Sequence, residues 1–477
     1  MSVRALVHRG CGALVGMGCA LKEHPVSRQA GQGSGAAAGF AHLPYGVWLL
    51  LVAASVVGAL AVLSPVLRAR APRWWWALWG YPVAVVRLKW TWHRLTDLQD
   101  LAVSRRPALR LMGDVVVRGR AVRTVAPRMG VARRRSGGLV VRVRLHPGQT
   151  PEMFEPAGGA MAHAWRMHAV RVTSHERGWV TMTATAWDPL SVPWVPRSLV
   201  PPQLLRAVVG RWEDGAVWAV DLRVVPHWLI VGATQSGKST LMAALVSQWA
   251  PQRLALVGVD LKGGLELSLF EARLSALATS RREAADVLSQ VLEHMLERMA
   301  LCRSLAVRSI WELPEKVRPV PVIVLVDEVA ELYLMASSAE KGEVGQVSTV
   351  LLRLGQLGAA LGVHLVVAGQ RVGSDLGTGV TALRAQLLGR ICHRVADKGT
   401  AEMALGDSSP DAVAAAQLIS VDQQGVAVGI NAEGVWMRAR SVLVTPQQAR
   451  QTAERYATLT PVLSSLGWAG HRTGGGL

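Results

Sequence analysis

Cysteine is scarce in this 477-residue chain, and lysine is scarce among its basic residues. Its four cysteines, Cys11, Cys19, Cys302 and Cys392, form no CxxC pair, and the first two stand far from the others in sequence. That spacing excludes a zinc ribbon or a disulfide framework and fits a chain whose bulk lies in a reducing cytoplasm. Lysine supplies only seven of the 52 basic residues, a bias that a GC-rich genome produces without functional cause. Nor does any His-x-His cluster stand with a nucleophilic tyrosine, so neither a relaxase nor a metal nuclease is indicated.

What is present is apolar residue and unevenly placed charge. Half the chain is hydrophobic and its mean hydropathy is positive, which points to membrane contact somewhere. The length predicts two or three domains. Residues 68–144 hold 18 basic residues against Asp97, Asp100 and Asp114, so this block carries +15 of the chain's +19. Such a block suits anionic lipid headgroups or a nucleic-acid backbone, and equally the positive side of a membrane helix.

Residues 1–45, with GQGSGAAAG at 31–39, read as a disordered tail. GVWLLLVAASVVGALAVLSPVL, at 46–67, has no charge over 22 residues, enough to span a hydrocarbon core of roughly 30 Å. No Lys or Arg lies in the fifteen residues before it, whereas Arg68, Arg70 and Arg73 follow at once. The expected topology puts the N-terminus outside and everything after residue 67 in the cytoplasm, in a protein of the cell membrane in contact with lipid. The segment 73–92 clusters Trp74, Trp75, Trp76, Trp79, Trp90 and Trp92. It reads as an interfacial helix or re-entrant segment, with a second span as the alternative.

Between 93 and 200 the pattern is a basic juxtamembrane stretch and a small α+β module. LVVRVRL (139–145) alternates as a strand, 150–168 has helical spacing, and AVRVTS and WVTMTATAW read as two strands around HERG. His163 and His168 are ordinary helix histidines in this reading. The Pro-rich run 192–202 is a linker. From 203 to 440 strands and helices alternate, the signature of a mostly parallel sheet covered on both faces. Residues 441–477 hold one helix, TPQQARQTAERYATL, and a flexible tail.

The chemistry sits in that alternation. Gly232, Ala233, Thr234, Gln235, Ser236, Gly237, Lys238, Ser239 fit G-x4-G-K-[ST], between the strand HWLIV and an amphipathic helix opening at Thr240. Glycines there let backbone N–H groups wrap the phosphates of ATP. Lys238 is expected to reach the β- and γ-phosphates and the Ser239 hydroxyl to ligate Mg²⁺. VPVIVLVDE (320–328) is a buried strand ending in two acids: Asp327 is expected to hold Mg²⁺ through water and Glu328 to polarise the attacking water. Helix capping would explain one of these acids but not both. VHLVVAGQ (363–370) ends in Gln370, placed to sense the γ-phosphate, though a turn-capping glutamine would look the same.

HWLIVGATQSGKS, VDLKGGLEL (259–267), VIVLVDEVAEL (322–332) and LGVHLVVAGQR (361–371) together resemble the motor domain of FtsK/SpoIIIE-type translocases. Residues 282–310 are similar to that family's segment between the Asp-Lys strand and Walker B, and 101–200 resembles its small pre-motor domain. The resemblance implies a RecA-like P-loop fold, ATP hydrolysis with Mg²⁺, and a homo-hexameric ring around double-stranded DNA. One motor behind one N-terminal membrane segment looks most like the transfer proteins of actinomycete conjugative plasmids and integrative elements. The implied function is a membrane-anchored double-stranded DNA translocase for conjugation. A type VII-like protein-secretion ATPase, a chromosome-partitioning pump and a non-enzymatic membrane scaffold are the alternatives. The family's Asp-Ser-Arg after the last motor strand is Thr400-Ala401-Glu402 here, which leaves Arg390 and Arg394 as the nearest candidates for an arginine finger, Arg390 foremost. Only one helix follows the motor, short for the winged-helix domain with which relatives recognise DNA repeats.

Overall fold

The computed structural model describes residues 45–104, 124–135, 137–174, 176–193, 203–335, 340–373, 376–377, 379–406, 410–430 and 435–462. The tail expected at 1–45, all but its last residue, most of the Pro-rich linker and the end of the chain from 463 lie outside them. The chain forms two compact units, divided between Trp79 and Gly80.

The first unit contains α1 (Tyr45–Arg70), 26 residues long, with Arg68 and Arg70 in its last turn, and a single turn at Pro72–Trp75. Trp75 Nε1 donates to Ser64 Oγ at 2.7 Å, and the Arg68 guanidinium lies 5.1 Å from the Trp75 ring. Helix α1 coincides with the expected span. Among the described residues, however, no helix is long and apolar enough to cross a membrane.

The second unit opens with α2 (Tyr81–Leu98), whose Ala84, Leu88, Trp92 and Leu95 are buried. Trp92 Nε1 donates to the Pro127 carbonyl at 2.9 Å, so the buried face of this half of the Trp-rich segment packs on protein. Trp90, on the other face, is exposed. After α2 the chain forms a small antiparallel sheet built from β1 (Arg128–Met129), β2 (Arg133–Arg135), β3 (Gly138–Arg144), β4 (Ala169–Thr173) and β5 (Trp179–Thr185). The strand order is β1-β3-β5-β4, with β2 also paired to β3. The helix expected over 150–168 is shorter: a 3₁₀ turn at Pro151–Met153, then α3 (Gly158–Trp165). Pro156 removes a donor between them, and Arg166 stops α3 in the left-handed conformation.

The motor is one ten-stranded sheet. Its strands are β6 (Arg206–Trp212), β7 (Val217–Asp221), β8 (His227–Val231), β9 (Ala255–Val259), β10 (Ala276–Ala278), β11 (Val322–Val326), β12 (Val363–Gly369), β13 (Gly389–His393), β14 (Val426–Ile430) and β15 (Trp436–Ser441). In space they run β10-β9-β11-β12-β8-β13-β14-β15-β6-β7. The first six are parallel. The last four are antiparallel, so the sheet is mixed where sequence alternation implied a mostly parallel one. Strand β6 and the hairpin β14–β15 escape that reading because they are joined without helices.

Every residue of β8, β9, β11 and β12 is buried, as a parallel strand covered on both faces requires. Their alternate side chains split into two cores. Leu229, Val257, Val324 and Val367 face α5 (Arg281–Ser304) and α7 (Lys341–Leu361). Ile230, Leu256, Leu325 and Val366 face α4 (Lys238–Trp249). The short helix α6 (Val329–Tyr333) follows β11. The rest of the motor adds α8 (Val380–Gln386), α9 (Lys398–Leu405), α10 (Pro410–Gln417) and α11 (Pro446–Arg455), the last opened by a Thr445/Gln448 capping box. The pre-motor sheet is tied to the motor through Arg171, which donates to Glu213 Oε1 at 3.0 Å, while Arg438 holds Glu213 Oε2 at 2.9 Å.

Candidate nucleotide-binding site

The central strand β8 ends at Val231, and helix α4 begins at Lys238; the six residues between them are the P-loop. Neighbouring strands hold its shape. The Gly232 N–H donates to the Gly369 carbonyl at 3.3 Å and the Ala233 N–H to the Arg394 carbonyl at 2.8 Å. Two positions take left-handed φ, Gln235 at 59° and Gly237 at 114°. Such turns aim consecutive N–H groups inward, the arrangement that receives phosphate at a helix N-terminus.

Gly237 has a second reason to be glycine. A Cβ there would lie 2.4 Å from the backbone nitrogen of Gly425. The Gly425 N–H donates to the Ser236 carbonyl at 3.0 Å, so the turn before β14 is pressed against the P-loop. Lys238 Nζ donates to the Gly232 carbonyl at 2.5 Å. Burial lowers the lysine pKa, opposed by the charge of Glu328. This ammonium has no carboxylate bonded to it among the described residues, and an incoming polyphosphate would supply the missing anion.

Beside the loop lies a cleft of about 390 Å³ lined by Ala233, Thr234, Gln235, Gly237, Lys238, Ser239, Thr240, Lys262, Leu265, Glu266, Asp327, Gln370 and Gln424. Seven of the nine loop-and-helix positions from Gly232 to Thr240 that were read as nucleotide-binding are thus placed around one space, Gly232 and Ser236 serving from behind it. The Ser236 hydroxyl is buried without a hydrogen-bond partner. Asp327 and Glu328, at the C-terminal end of β11, are 6% and 5% exposed. Burial, reinforced by the negative charge of Asp260, pushes the Asp327 carboxyl up to about 6. Glu328 is held from two sides: the Gln370 N–H donates to its Oε1 at 3.1 Å, and Lys262 Nζ lies 3.3 Å from its Oε2. Lys262 itself stands on a loop fixed by Asp260, whose Oδ2 accepts from the N–H groups of Glu266 and Leu267.

Lys262 and the 423–425 turn were missed as functional residues in the sequence. Their signals were the DLKGG run closing a buried strand and an isolated glycine opening one. Arg390 and Arg394 do not act together. Arg394 donates to the Thr234 carbonyl at 3.1 Å, on the P-loop of its own chain. Arg390 lies outside the cleft, in a separate concavity with Arg384 and Lys398. Its guanidinium is half-buried and donates to the Arg384 carbonyl at 2.7 Å. Thr400, Ala401 and Glu402 lie on α9, with Thr400 capped by Asp397.

Comparison with known proteins gives the family. Residues 60–186 match the actinomycete conjugal transfer protein N-terminal domain, and residues 198–320 and 312–374 match the FtsK/SpoIIIE family. Transfer protein TraSA of Streptomyces ambofaciens is 42% identical over 340 residues, spanning 69% of this chain and 82% of the relative. A sporulation regulatory protein of Streptomyces azureus is 45% identical over 257 residues, 54% of this chain and 85% of that one. DNA translocase FtsK of Lactococcus lactis subsp. cremoris is 30% identical over 221 residues, 42% of this chain and 28% of its own length. Among solved structures, the pCW3 conjugation coupling protein TcpA, a monomer form with ATPγS, aligns with a TM-score of 0.48 at 20% identity, covering 69% of this chain and 93% of that one. The chain is an ATPase that belongs to the FtsK/SpoIIIE family and carries the N-terminal domain of actinomycete conjugal transfer proteins.

Proposed function

We propose that this ATPase is a membrane-anchored translocase that moves double-stranded DNA during conjugative transfer. The observation that carries the reading is the doubly held carboxylate of Glu328 at the edge of the P-loop cleft, in a chain whose relatives are a transfer protein and DNA translocases. Hydrolysis needs a carboxylate fixed in place beside the cleft. Lys262 and the Gln370 amide hold it there.

Lys238 and the N–H groups of the loop bind the phosphates, and Glu328 orients the attacking water. Ser239 and Asp327 flank the same cleft, and a hydroxyl and a carboxylate are oxygen donors suited to a hard cation; Mg²⁺ held there would neutralise phosphate charge. Gln370 has its backbone on the water-orienting Glu328 and its side chain in the cleft. Loss of the γ-phosphate is therefore transmitted through β12, which is how the account couples turnover to movement.

Arg390 faces away from its own nucleotide cleft and is the arginine offered to a neighbour in a homo-hexameric ring, whereas Arg394 serves the loop of its own chain. The division into tail, membrane segment, pre-motor module, motor and C-terminal helix belongs to the same reading. Helix α1, with 46–67 uncharged and arginines immediately after, is the proposed anchor at the cell membrane, leaving the motor in the cytoplasm.

The test is transfer between mating cells in which the only copy carries Lys238→Ala. Loss of transfer, with the variant still in the membrane fraction, is the expected result. Normal transfer would overturn the proposal, as would recovery of the wild-type protein from the soluble fraction alone for the anchor.

A further inference from the structure

The arginines of the pre-motor sheet are not scattered. In antiparallel pairs, directly opposed residues project to the same side. Arg128 opposes Arg144, Arg133 opposes Val140, and Arg135 opposes Gly138. On β3 the residues Leu139, Val141 and Val143 are buried, while Arg142 and Arg144 between and beyond them are exposed. The register therefore gathers Arg128, Arg133, Arg135, Arg142 and Arg144 on the one face of the sheet that the apolar core does not use.

Two of these sit in a like-charge pair, Arg128 against Arg144, an arrangement that destabilises a sheet unless an anion joins it. Arg142 is paired with Glu176. Among the described residues no carboxylate is bonded to Arg128, Arg133, Arg135 or Arg144. Protection of a sheet edge against strand pairing would account for arginines on the edge strands β1 and β2. It gives no reason for Arg142 and Arg144 on β3, an inner strand.

We propose that this face is a sequence-independent binding surface for the phosphate backbone of duplex DNA, resting on the DNA-translocase reading above. Alternate residues of a strand are about 6.7 Å apart, so Arg142 and Arg144 reach separate phosphates, and Arg128 and Arg133 extend the row across the neighbouring strands. The face is not open across its whole width: Arg171, opposed to Thr183, reaches Glu213 of the motor, and Thr181 and Thr183 line a cleft with Trp212 and Met437, so the duplex meets the exposed arginines on the open side. Single-stranded nucleic acid is captured by free aromatic faces, and here the aromatic ring, Trp179, is covered by the Arg142 guanidinium at 4.7 Å. Insertion into a bilayer calls for exposed apolar side chains, which the strands of this face do not present. A duplex backbone satisfies the arginines without either.

The experiment uses the full chain in detergent micelles and a labelled random-sequence duplex, titrated at several salt concentrations. The variant is Arg128→Gln/Arg133→Gln/Arg144→Gln, with the three Arg→Lys substitutions as the charge-keeping control. Each phosphate contact contributes about 0.9 to the slope of log K against log salt. The glutamine variant should lose about 2.7 of that slope and at least tenfold in affinity, the lysine variant should keep both, and DNA-free ATPase should be unchanged. Equal slope and affinity in the glutamine variant would overturn the surface while leaving the DNA motor standing. No duplex binding by the wild type would overturn the translocase reading and the surface with it. Loss of binding to phosphatidylglycerol vesicles with duplex binding intact would assign the face to lipid and overturn the proposal. If DNA-free turnover also fails in the triple variant, the three single Arg→Gln changes decide: each should lower the slope by about 0.9, and unchanged slopes refute it.

Discussion

The main-chain amide of Gln370 donates to Glu328 Oε1 at 3.1 Å, joining the end of β12 to the acid at the end of β11. One acid is thereby fixed by the strand that carries the residue expected to sense the nucleotide.

Removing the charge of Glu328 while keeping its shape separates binding from turnover. Glu328→Gln should bind ATP with near wild-type affinity and lose roughly 10²- to 10⁴-fold in turnover, the usual contribution of a positioned base. Calorimetric binding beside steady-state ATPase checks this. Unchanged turnover would remove Glu328 from the mechanism.

Lys262 is expected to matter through Glu328 rather than through the nucleotide. Lys262→Ala frees one carboxylate oxygen, and one such contact is worth about 1.4 kcal/mol, on the order of tenfold in kcat. ATP affinity should change little, in contrast to Lys238→Ala, where binding itself is lost. A Lys262→Ala variant that loses affinity and keeps kcat would place the lysine on the phosphates instead.

The packing of the P-loop against the turn before β14 leaves no room at Gly237. A methyl group there meets the Gly425 nitrogen at 2.4 Å and its Cα at 2.6 Å, both backbone atoms that cannot rotate aside. The left-handed φ adds about 1–2 kcal/mol for any other residue. Gly237→Ala should therefore abolish measurable ATP binding with Lys238 intact. Wild-type affinity in that variant would show that the loop and the turn do not rest on each other.

Three buried histidines set the acid limit of the motor. Burial lowers His227 and His393 to about 4 and His364 to about 3, from an ordinary value of 6.5. The unfolded chain thus binds protons first as pH falls. Stability is fully present above pH 6.5 and is lost progressively down to about pH 4 for His227 and His393 and about pH 3 for His364, at up to about 1.4 kcal/mol per pH unit for each histidine. Urea midpoints should fall across that window. His364→Asn, which keeps a donor for the Pro226 carbonyl, should flatten the slope by one proton; an unchanged slope would exclude His364.

The P-loop, the acids after β11 and the central strands were legible because each is a local pattern: a short glycine spacing, a charge pair closing an apolar run, five buried residues in a row. Lys262 was not, since its role depends on β9 lying beside β11, and neighbours in a parallel sheet are set by crossovers rather than by sequence order. The same holds for Gly425, nearly two hundred residues from the Ser236 carbonyl it meets. The antiparallel extension was half visible, as β7 alone, because alternation of strand and helix ceases there. The Trp-rich stretch was ambiguous for a different reason. A face of Ala84, Leu88, Trp92 and Leu95 has the same composition whether it meets lipid or protein, and only the fold reveals the Pro127 carbonyl waiting for Trp92. For the arginines, sequence gave a charge block; register turned it into one face.

The central claim is that ATP hydrolysis here is coupled to duplex DNA. Steady-state ATPase of the full chain, with and without double-stranded DNA and with Lys238→Ala as control, tests it most directly. The account expects strong stimulation by duplex that disappears in the variant. Turnover indifferent to duplex, but raised by a secreted peptide, would contradict it and make the chain a protein-secretion motor.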